Sequence, residues 1–176
     1  LTSKNLESLQ GKLLEYMGDK VEFLNITVEY LFEMATTQSI YCNIYAKLCI
    51  FLGGKYGEET IKKNVLNKCK ENYLELRKLK EVDPIEDYDN FCVNMKKKKQ
   101  FIGIFHLVGE LYKEKLITVV VIWNYIKLLF ENLDSELDNE TREKYVECLK
   151  ELLLKVGKLL RDTNKTTFDD KIMNKI

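Results

Sequence analysis

Apolar residues recur along most of the chain every three to four positions, the spacing that places side chains on one face of an α-helix. The pattern predicts a succession of about eight helices. Their apolar faces lie in residues 6–17, 21–35, 40–51, 61–76, 101–112, 119–130, 145–160 and a short segment after residue 167. Residues 119–122 alone favour a β-strand, but the helical spacing that continues to Phe130 outweighs this preference.

Turn and capping signals separate the predicted helices. The fifth helix is predicted to begin at residues 87–89, after a linker over residues 81–86 around Pro84, which is the one proline of the chain. The other predicted breaks and caps are Gly18, a turn at residues 36–39 with Ser39 as N-cap, Gly53 with Gly54, Thr118, and Asn139 or Thr141.

Helices in sequence that are joined by short turns pack as antiparallel hairpins. The odd-numbered helices begin near residues 6, 39, 88 and 141, a spacing near the ~40–47 residues of a HEAT unit. We therefore predict an all-α fold, an α-α superhelix of about four antiparallel helix hairpins in a HEAT-like solenoid. Residues 1–176 are expected to form a single domain, and such domains usually bind other macromolecules.

The composition of the chain excludes some classes of protein. The 28 basic and 28 acidic residues give a net charge of zero, which excludes a nucleic-acid binder that works through bulk charge. No apolar stretch is long enough for a membrane span, and we expect no signal peptide. Because the sequence does not begin with Met, we expect a domain excised from a longer protein. Cysteines without disulfide or metal spacing favour a cytoplasmic location. Abundant Lys, Asn, Ile and Tyr indicate an AT-rich genome, such as that of a parasite or a large DNA virus.

Catalytic and metal chemistry are not predicted. The five cysteines show no C-x-x-C spacing and are expected to be reduced, mostly buried thiols. His106, the one histidine, is expected to be a packed structural residue, since no nucleophile accompanies it. The glycines around Lys55 lack the spacing of a phosphate-binding loop. We expect no enzyme activity, no cofactor and no metal.

Four sequence blocks, in the same order, resemble the middle domain of the eukaryotic translation initiation factor 4G family. The most diagnostic block, residues 96–118, has a lysine run, then glycines, and a Gly-Glu-Leu-Tyr sequence. Together with blocks at residues 31–49, 66–73 and 152–160, it covers most of residues 20–162. Positions that match the family are Phe32, Glu33, Ala35, Tyr45, Ala46, Cys49, Cys69, Gly103, Gly109, Glu110, Leu111, Tyr112, Thr118, Gly157 and Lys158.

The resemblance implies a HEAT-type scaffold for a DEAD-box RNA helicase of the initiation factor 4A type, whose ATP turnover and unwinding it speeds. In the family, an aromatic residue at the start of the second repeat docks on the carboxy-terminal helicase lobe. Tyr41 occupies that position, and Thr37 and Gln38 lie in the same loop, so these three are the predicted helicase-binding residues. A cap-binding protein is expected to contact only regions outside this chain.

The sequence also departs from the family. Ile104 replaces an Asn, and Leu159 and Arg161 replace acids. The family has five hairpins where we predict about four, which leaves open the second helicase contact, expected near residues 168–176.

A run of consecutive lysines supports an alternative function. Lys96, Lys97, Lys98 and Lys99 form the densest charge run in the sequence. Such a run usually marks a solvated helix face, and contact with RNA phosphates is its functional interpretation. The alternative function is therefore an RNA-binding helical repeat module of a related mRNA-processing or nonsense-mediated decay factor.

Overall fold

The computed structural model describes residues 5–18, 20, 22–76, 82–83, 85–135, 137–163 and 165–173. Throughout these residues the regular structure is helical and includes no β-strand, which confirms the predicted all-α class. The helices are α1 (Leu6–Met17), α2 (Glu22–Thr37), α3 (Cys42–Tyr56), α4 (Glu58–Leu76), α5 (Tyr88–Lys113), α6 (Val119–Leu133), α7 (Asn139–Thr163) and α8 (Lys165–Phe168). A 3-10 turn covers Ser39–Tyr41, and a π-helical turn covers Asp169–Met173.

Several predicted helix boundaries are confirmed. The backbone N–H of Gly18 bonds to the Leu14 carbonyl where α1 ends. The side chain of Asp87 caps α5 by accepting a hydrogen bond from the Asn90 backbone N–H at 3.1 Å. Residues 119–122 form the first turn of α6 and not a strand, because the long apolar stripe packs only as a helix.

Other boundary predictions were wrong. α3 continues through Gly53 and Gly54 and ends at Gly57, whose φ of 100° only glycine adopts easily. The cap of α7 is Asp138, which accepts from the Thr141 backbone N–H at 2.8 Å. Neither Asn139 nor Thr141 fills that role, because both lie inside the helix.

Capping of α3 and α6 also differs from the prediction. Ser39 belongs to the 3-10 turn, and the turn predicted at residues 36–39 is shorter because α2 extends to Thr37. Thr118 occupies the N-cap position of α6, but its side chain makes no capping hydrogen bond. The predictions that concern Val21, Glu81 and Pro84 fall outside the described residues.

α5 lies at the centre of the packing and contacts α2, α3, α4, α6 and α7. Consecutive helices α3 and α4, α5 and α6, and α7 and α8 pack against each other, as expected for hairpins. Aromatic rings join three helices, since Phe101 of α5 lies 5.4 Å from Tyr73 of α4 and 5.9 Å from Tyr145 of α7, measured between ring centroids. The predicted HEAT-like helical solenoid is confirmed by this architecture.

Two glycines allow α5 to approach its neighbours closely. A Cβ on Gly103 would overlap the carbonyl oxygen of Thr36 in α2 and lie 2.6 Å from its carbonyl carbon. A Cβ on Gly109 would lie 2.8 Å from Cβ of Lys155 in α7. Glycine inside a helix costs ~1 kcal/mol relative to alanine, and these contacts give the reason for it at both positions.

The predicted core is less complete at the periphery. Met17 is the buried residue of α1, while its leucines are only partly covered. Trp123, expected in the core, is half-buried at the core boundary, and Lys171 Nζ lies 4.9 Å from the centroid of its ring. These positions adjoin the outer helices, which have fewer neighbours to cover them.

Candidate functional site

The predicted partner-binding residues lie in a short connection between α2 and α3. It comprises residues 37–41, which we call the α2–α3 loop. Buried residues bracket it, because Thr36 and Cys42 are each only 1% exposed. The Cys42 thiol donates a hydrogen bond to the Ala35 carbonyl at 3.5 Å across the base of the loop. These contacts fix both ends of the loop on the core.

Backbone hydrogen bonds order the loop internally. The Gln38 N–H donates to the Met34 carbonyl, and the Tyr41 N–H donates to the Gln38 carbonyl, both at 2.9 Å. The Thr37 hydroxyl donates to the Glu33 carbonyl at 2.7 Å. The loop therefore has a defined backbone conformation before any partner binds.

The side chains of Thr37, Gln38 and Tyr41 are all exposed. Tyr41 exposes 37% of its surface, whereas Tyr45, one turn further on, exposes 2%. Tyr41 therefore lies on the surface of the loop, whereas Tyr45 lies in the core. The structure thus brings the three residues predicted for helicase binding together on one accessible loop.

Ile40 is a loop residue that the sequence analysis assigned to the core, and that assignment was wrong. Its side chain is 80% exposed. Residues 39–41 form a 3-10 turn, which advances each residue by about 120° where an α-helix advances by about 100°. Because α3 begins only at Cys42, the four-residue spacing from Ile40 to Ile44 does not place both on one face. The sequence signal for an exposed Ile40 was its position directly after Ser39, the predicted N-cap.

A buried hydroxyl lies beneath the loop. The Tyr45 Oη atom is buried and has no hydrogen-bond partner among the described residues. Burial raises the pKa of Tyr45, and the neighbouring Tyr30 and Tyr41 raise it further.

The lysine run does not form a single basic patch. Consecutive residues of a helix point about 100° apart, so the four side chains spread around α5. Lys96 and Lys99 are exposed, while Lys97 and Lys98 are partly buried. Lys98 Nζ pairs with Glu140 of α7 at 3.6 Å. The run therefore presents two exposed lysines, Lys96 and Lys99, three residues apart on one face of α5, and a third lysine, Lys98, that joins two helices.

Charged groups between α5 and α7 form structural ion pairs. Glu110 has a side chain only 4% exposed, and its carboxylate lies 2.9 Å from Lys155 Nζ and 3.0 Å from Lys113 Nζ. Burial raises the pKa of Glu110, but the two lysines outweigh it and hold the pKa below its ordinary value. The Glu110 carboxylate thus forms a buried ion pair that connects α5 to α7.

His106 also joins these helices. Its Nε2 lies 3.2 Å from a Glu151 carboxylate oxygen. Burial lowers the pKa of His106, and the nearby Lys155 adds to this effect. The two side chains are partly buried, at 16% and 20% exposed, so the pair belongs to the packing between α5 and α7.

Among the described residues, no group of three or more His, Cys, Asp or Glu side chains is arranged to hold a metal ion. None of the described helices combines the length and the apolar composition that a membrane span requires.

The fold and the exposed hairpin-edge loop define the class of all-α helical-repeat proteins, which present extended surfaces to other macromolecules. The sequence profile described as "MIF4G domain" matches residues 1–176. The chain therefore belongs to the MIF4G domain family.

Several relatives carry the name of one protein. "Eukaryotic translation initiation factor 4G" of Oryza sativa is 27% identical, with 91% of this chain and 10% of the relative covered. The Arabidopsis thaliana protein of that name is 27% identical, with 96% and 10% covered. "Eukaryotic initiation factor 4F subunit p130" of Saccharomyces cerevisiae is 22% identical, with 85% and 19% covered. The chain spans about a tenth of the length of the plant relatives.

Proposed function

We propose that this chain is the middle domain of a longer translation initiation scaffold of the factor 4G type. In this proposal it binds and stimulates a DEAD-box RNA helicase of the initiation factor 4A type. The observation that carries the proposal is the α2–α3 loop, which presents Tyr41 and Ile40 at a hairpin edge while buried residues hold both of its ends. An aromatic residue fixed beside an apolar one is the composition of an interface anchor.

The proposed mechanism is a population shift. A scaffold that binds one arrangement of the two helicase lobes more tightly than another favours that arrangement by the difference in binding free energy. The ordered loop supports this mechanism, because a preformed surface loses little conformational entropy on binding. The domain itself needs no catalytic group, and we propose that it is not an enzyme.

The rest of the proposal concerns the cellular setting. We propose a cytoplasmic protein in which regions outside this chain contact the cap-binding protein. RNA binding through Lys96, Lys97, Lys98 and Lys99 is the alternative function. Only Lys96 and Lys99 of the run are exposed, and Lys98 is paired with Glu140, which favours the helicase over RNA as the main partner.

The test is the Tyr41→Ala variant. If Tyr41 is an anchor, its truncation weakens helicase binding by at least ~1 kcal/mol, which is about fivefold in Kd. Isothermal titration calorimetry with purified helicase, after ribonuclease treatment of both proteins, measures this change. The helicase ATPase rate at subsaturating scaffold should fall in parallel.

Tyr16→Ala is the matched control, because Tyr16 is 82% exposed on α1, away from the loop. It should bind the helicase as the unmodified chain does. Equal Kd values for Tyr41→Ala and the unmodified chain remove Tyr41 from the interface. Absence of binding by the unmodified chain refutes the proposed function.

A further inference from the structure

The outward face of α2 is apolar where a solvated helix would be polar. Phe23, Ile26 and Tyr30 are 40%, 65% and 60% exposed. At about 100° per residue they lie within an arc of about 60°, and Thr37 falls in the same arc at the end of the helix. We call Phe23, Ile26 and Tyr30 the α2 stripe. The buried residues of α2 lie on its other sides: Leu24, Val28, Leu31, Phe32, Ala35 and Thr36.

α2 therefore has two apolar faces but only one core to bury them. Its polar contacts with α4 lie beside the stripe and not over it, since Asn64 Nδ2 donates to Asn25 Oδ1 at 2.9 Å and Lys68 pairs with Glu29 at 2.7 Å. Exposed apolar residues scattered singly are normal, but a contiguous group marks an interaction surface. A helix with apolar residues on opposite sides is typical of one that packs between two partners.

The stripe continues into the α2–α3 loop. Thr37 lies in the same arc of α2 and is the first residue of the loop, and α2 contacts the 3-10 turn that carries Tyr41. Lys20 Nζ lies 5.5 Å from the centroid of the Phe23 ring at the start of the stripe. On the side of Ile26 the stripe is bordered by exposed carboxylates, those of Glu22 and Glu33. An apolar contact area with an acidic border on this side complements an apolar surface that is bordered by basic residues.

We propose that the α2 stripe and the α2–α3 loop form one continuous docking surface for a protein partner whose apolar contact area is bordered by lysine or arginine. The inference rests on the proposed function and takes the helicase as that partner. It assigns Ile26 and Tyr30 as contact residues in addition to the loop, and Glu33 as a residue that sets the preferred charge of the partner.

The test compares three variants for Kd with purified helicase by calorimetry. Ile26→Ser should raise Kd about tenfold, the effect of losing a well-placed apolar contact. Glu33→Lys should also raise Kd, because it places a like charge against a basic border. Leu154→Ser is the matched control, since Leu154 is 71% exposed on α7, and it should leave Kd unchanged. Circular dichroism verifies that all three fold.

The outcomes separate this inference from the proposed function. If Tyr41→Ala weakens binding while Ile26→Ser and Glu33→Lys do not, the stripe inference is overturned and the proposed function stands. If the unmodified chain does not bind the helicase, both fail. A third outcome is that light scattering detects a dimer of the chain, and that Ile26→Ser abolishes this dimer without changing Kd for the helicase. The stripe is then an interface between copies of the chain, and the inference is overturned.

Discussion

Replacing Gly103 by alanine tests the close packing between α5 and α2. The added Cβ would overlap the carbonyl oxygen of Thr36 and lie 2.6 and 2.8 Å from its carbonyl carbon and Cα. These are backbone atoms of a residue only 1% exposed, so no side-chain rotation relieves the overlap. The two helices must move apart, and the core around Thr36 must open with them.

The expected change in the unfolding free energy of Gly103→Ala is the difference between two opposing effects. Alanine in place of glycine favours a helix by ~1 kcal/mol. Overpacking a well-packed core costs ~1–3 kcal/mol and sometimes more, and contact with backbone atoms places Gly103 at the upper end of that range. The expected net loss of unfolding free energy is about 2 kcal/mol, which lowers Tm by roughly 4–8 °C for a domain of this size.

Urea denaturation followed by circular dichroism measures the change, with Gly54→Ala as the control. Gly54 is exposed within α3 and has no atom within 4 Å of an added Cβ, so its replacement should stabilise the domain by ~0.5–1 kcal/mol. Because Thr36 adjoins the α2–α3 loop, Gly103→Ala should also weaken helicase binding. A Gly103→Ala variant as stable as Gly54→Ala would refute the close α2–α5 contact.

Two further predictions concern ionisable groups. Glu110→Gln should lower the unfolding free energy at pH 7 by about 2 kcal/mol, the scale of hydrogen bonds to charged groups. Because the folded-state pKa of Glu110 is depressed, its contribution is present above the ordinary value of 4.5 and is lost as pH falls through the folded pKa. Urea unfolding of both proteins between pH 7 and pH 3 should therefore converge, and a constant gap would contradict this. When the native protein is labelled with iodoacetamide at pH 7, Cys92 should react first. The reason is that burial raises the pKa of Cys42, Cys49 and Cys69 to about 12, which leaves these thiols protonated. Mass spectrometry that finds Cys49 alkylated before Cys92 would contradict the burial of Cys49.

Helix type and order were predictable because apolar spacing reports which residues face the core. The prediction failed where backbone geometry departs from the α-helix. Residues 39–41 form a 3-10 turn, and its tighter winding moved Ile40 from the predicted core to the surface. Gly53 and Gly54 looked like a helix end, but the positive φ that ends α3 occurs at Gly57. Sequence spacing carries no signal for which of several nearby glycines takes that conformation.

The candidate site was predictable only in part. The resemblance led to Tyr41, and the structure shows that its side chain is exposed. The α2 stripe was not predicted, because Phe23, Ile26 and Tyr30 have the same helical spacing as the buried residues of α2. A sequence pattern does not say which of two apolar faces of a helix is covered. The lysine run attracted attention by its density, whereas its effect depends on direction, which changes by about 100° at each residue.

The block that most strongly marks the family does not lie in the proposed docking surface. Gly103 and Gly109 set the distances from α5 to α2 and α7, and Glu110 ties α5 to Lys155. These residues act on the docking surface indirectly. The backbone of Thr36, the residue before the α2–α3 loop, packs directly against Gly103. A substitution within the loop changes contacts with the partner at little cost to stability, whereas one at Gly103 changes the position of the whole loop. The two variants should therefore have different effects. Tyr41→Ala should weaken helicase binding and leave Tm unchanged, whereas Gly103→Ala should lower both the affinity for the helicase and Tm.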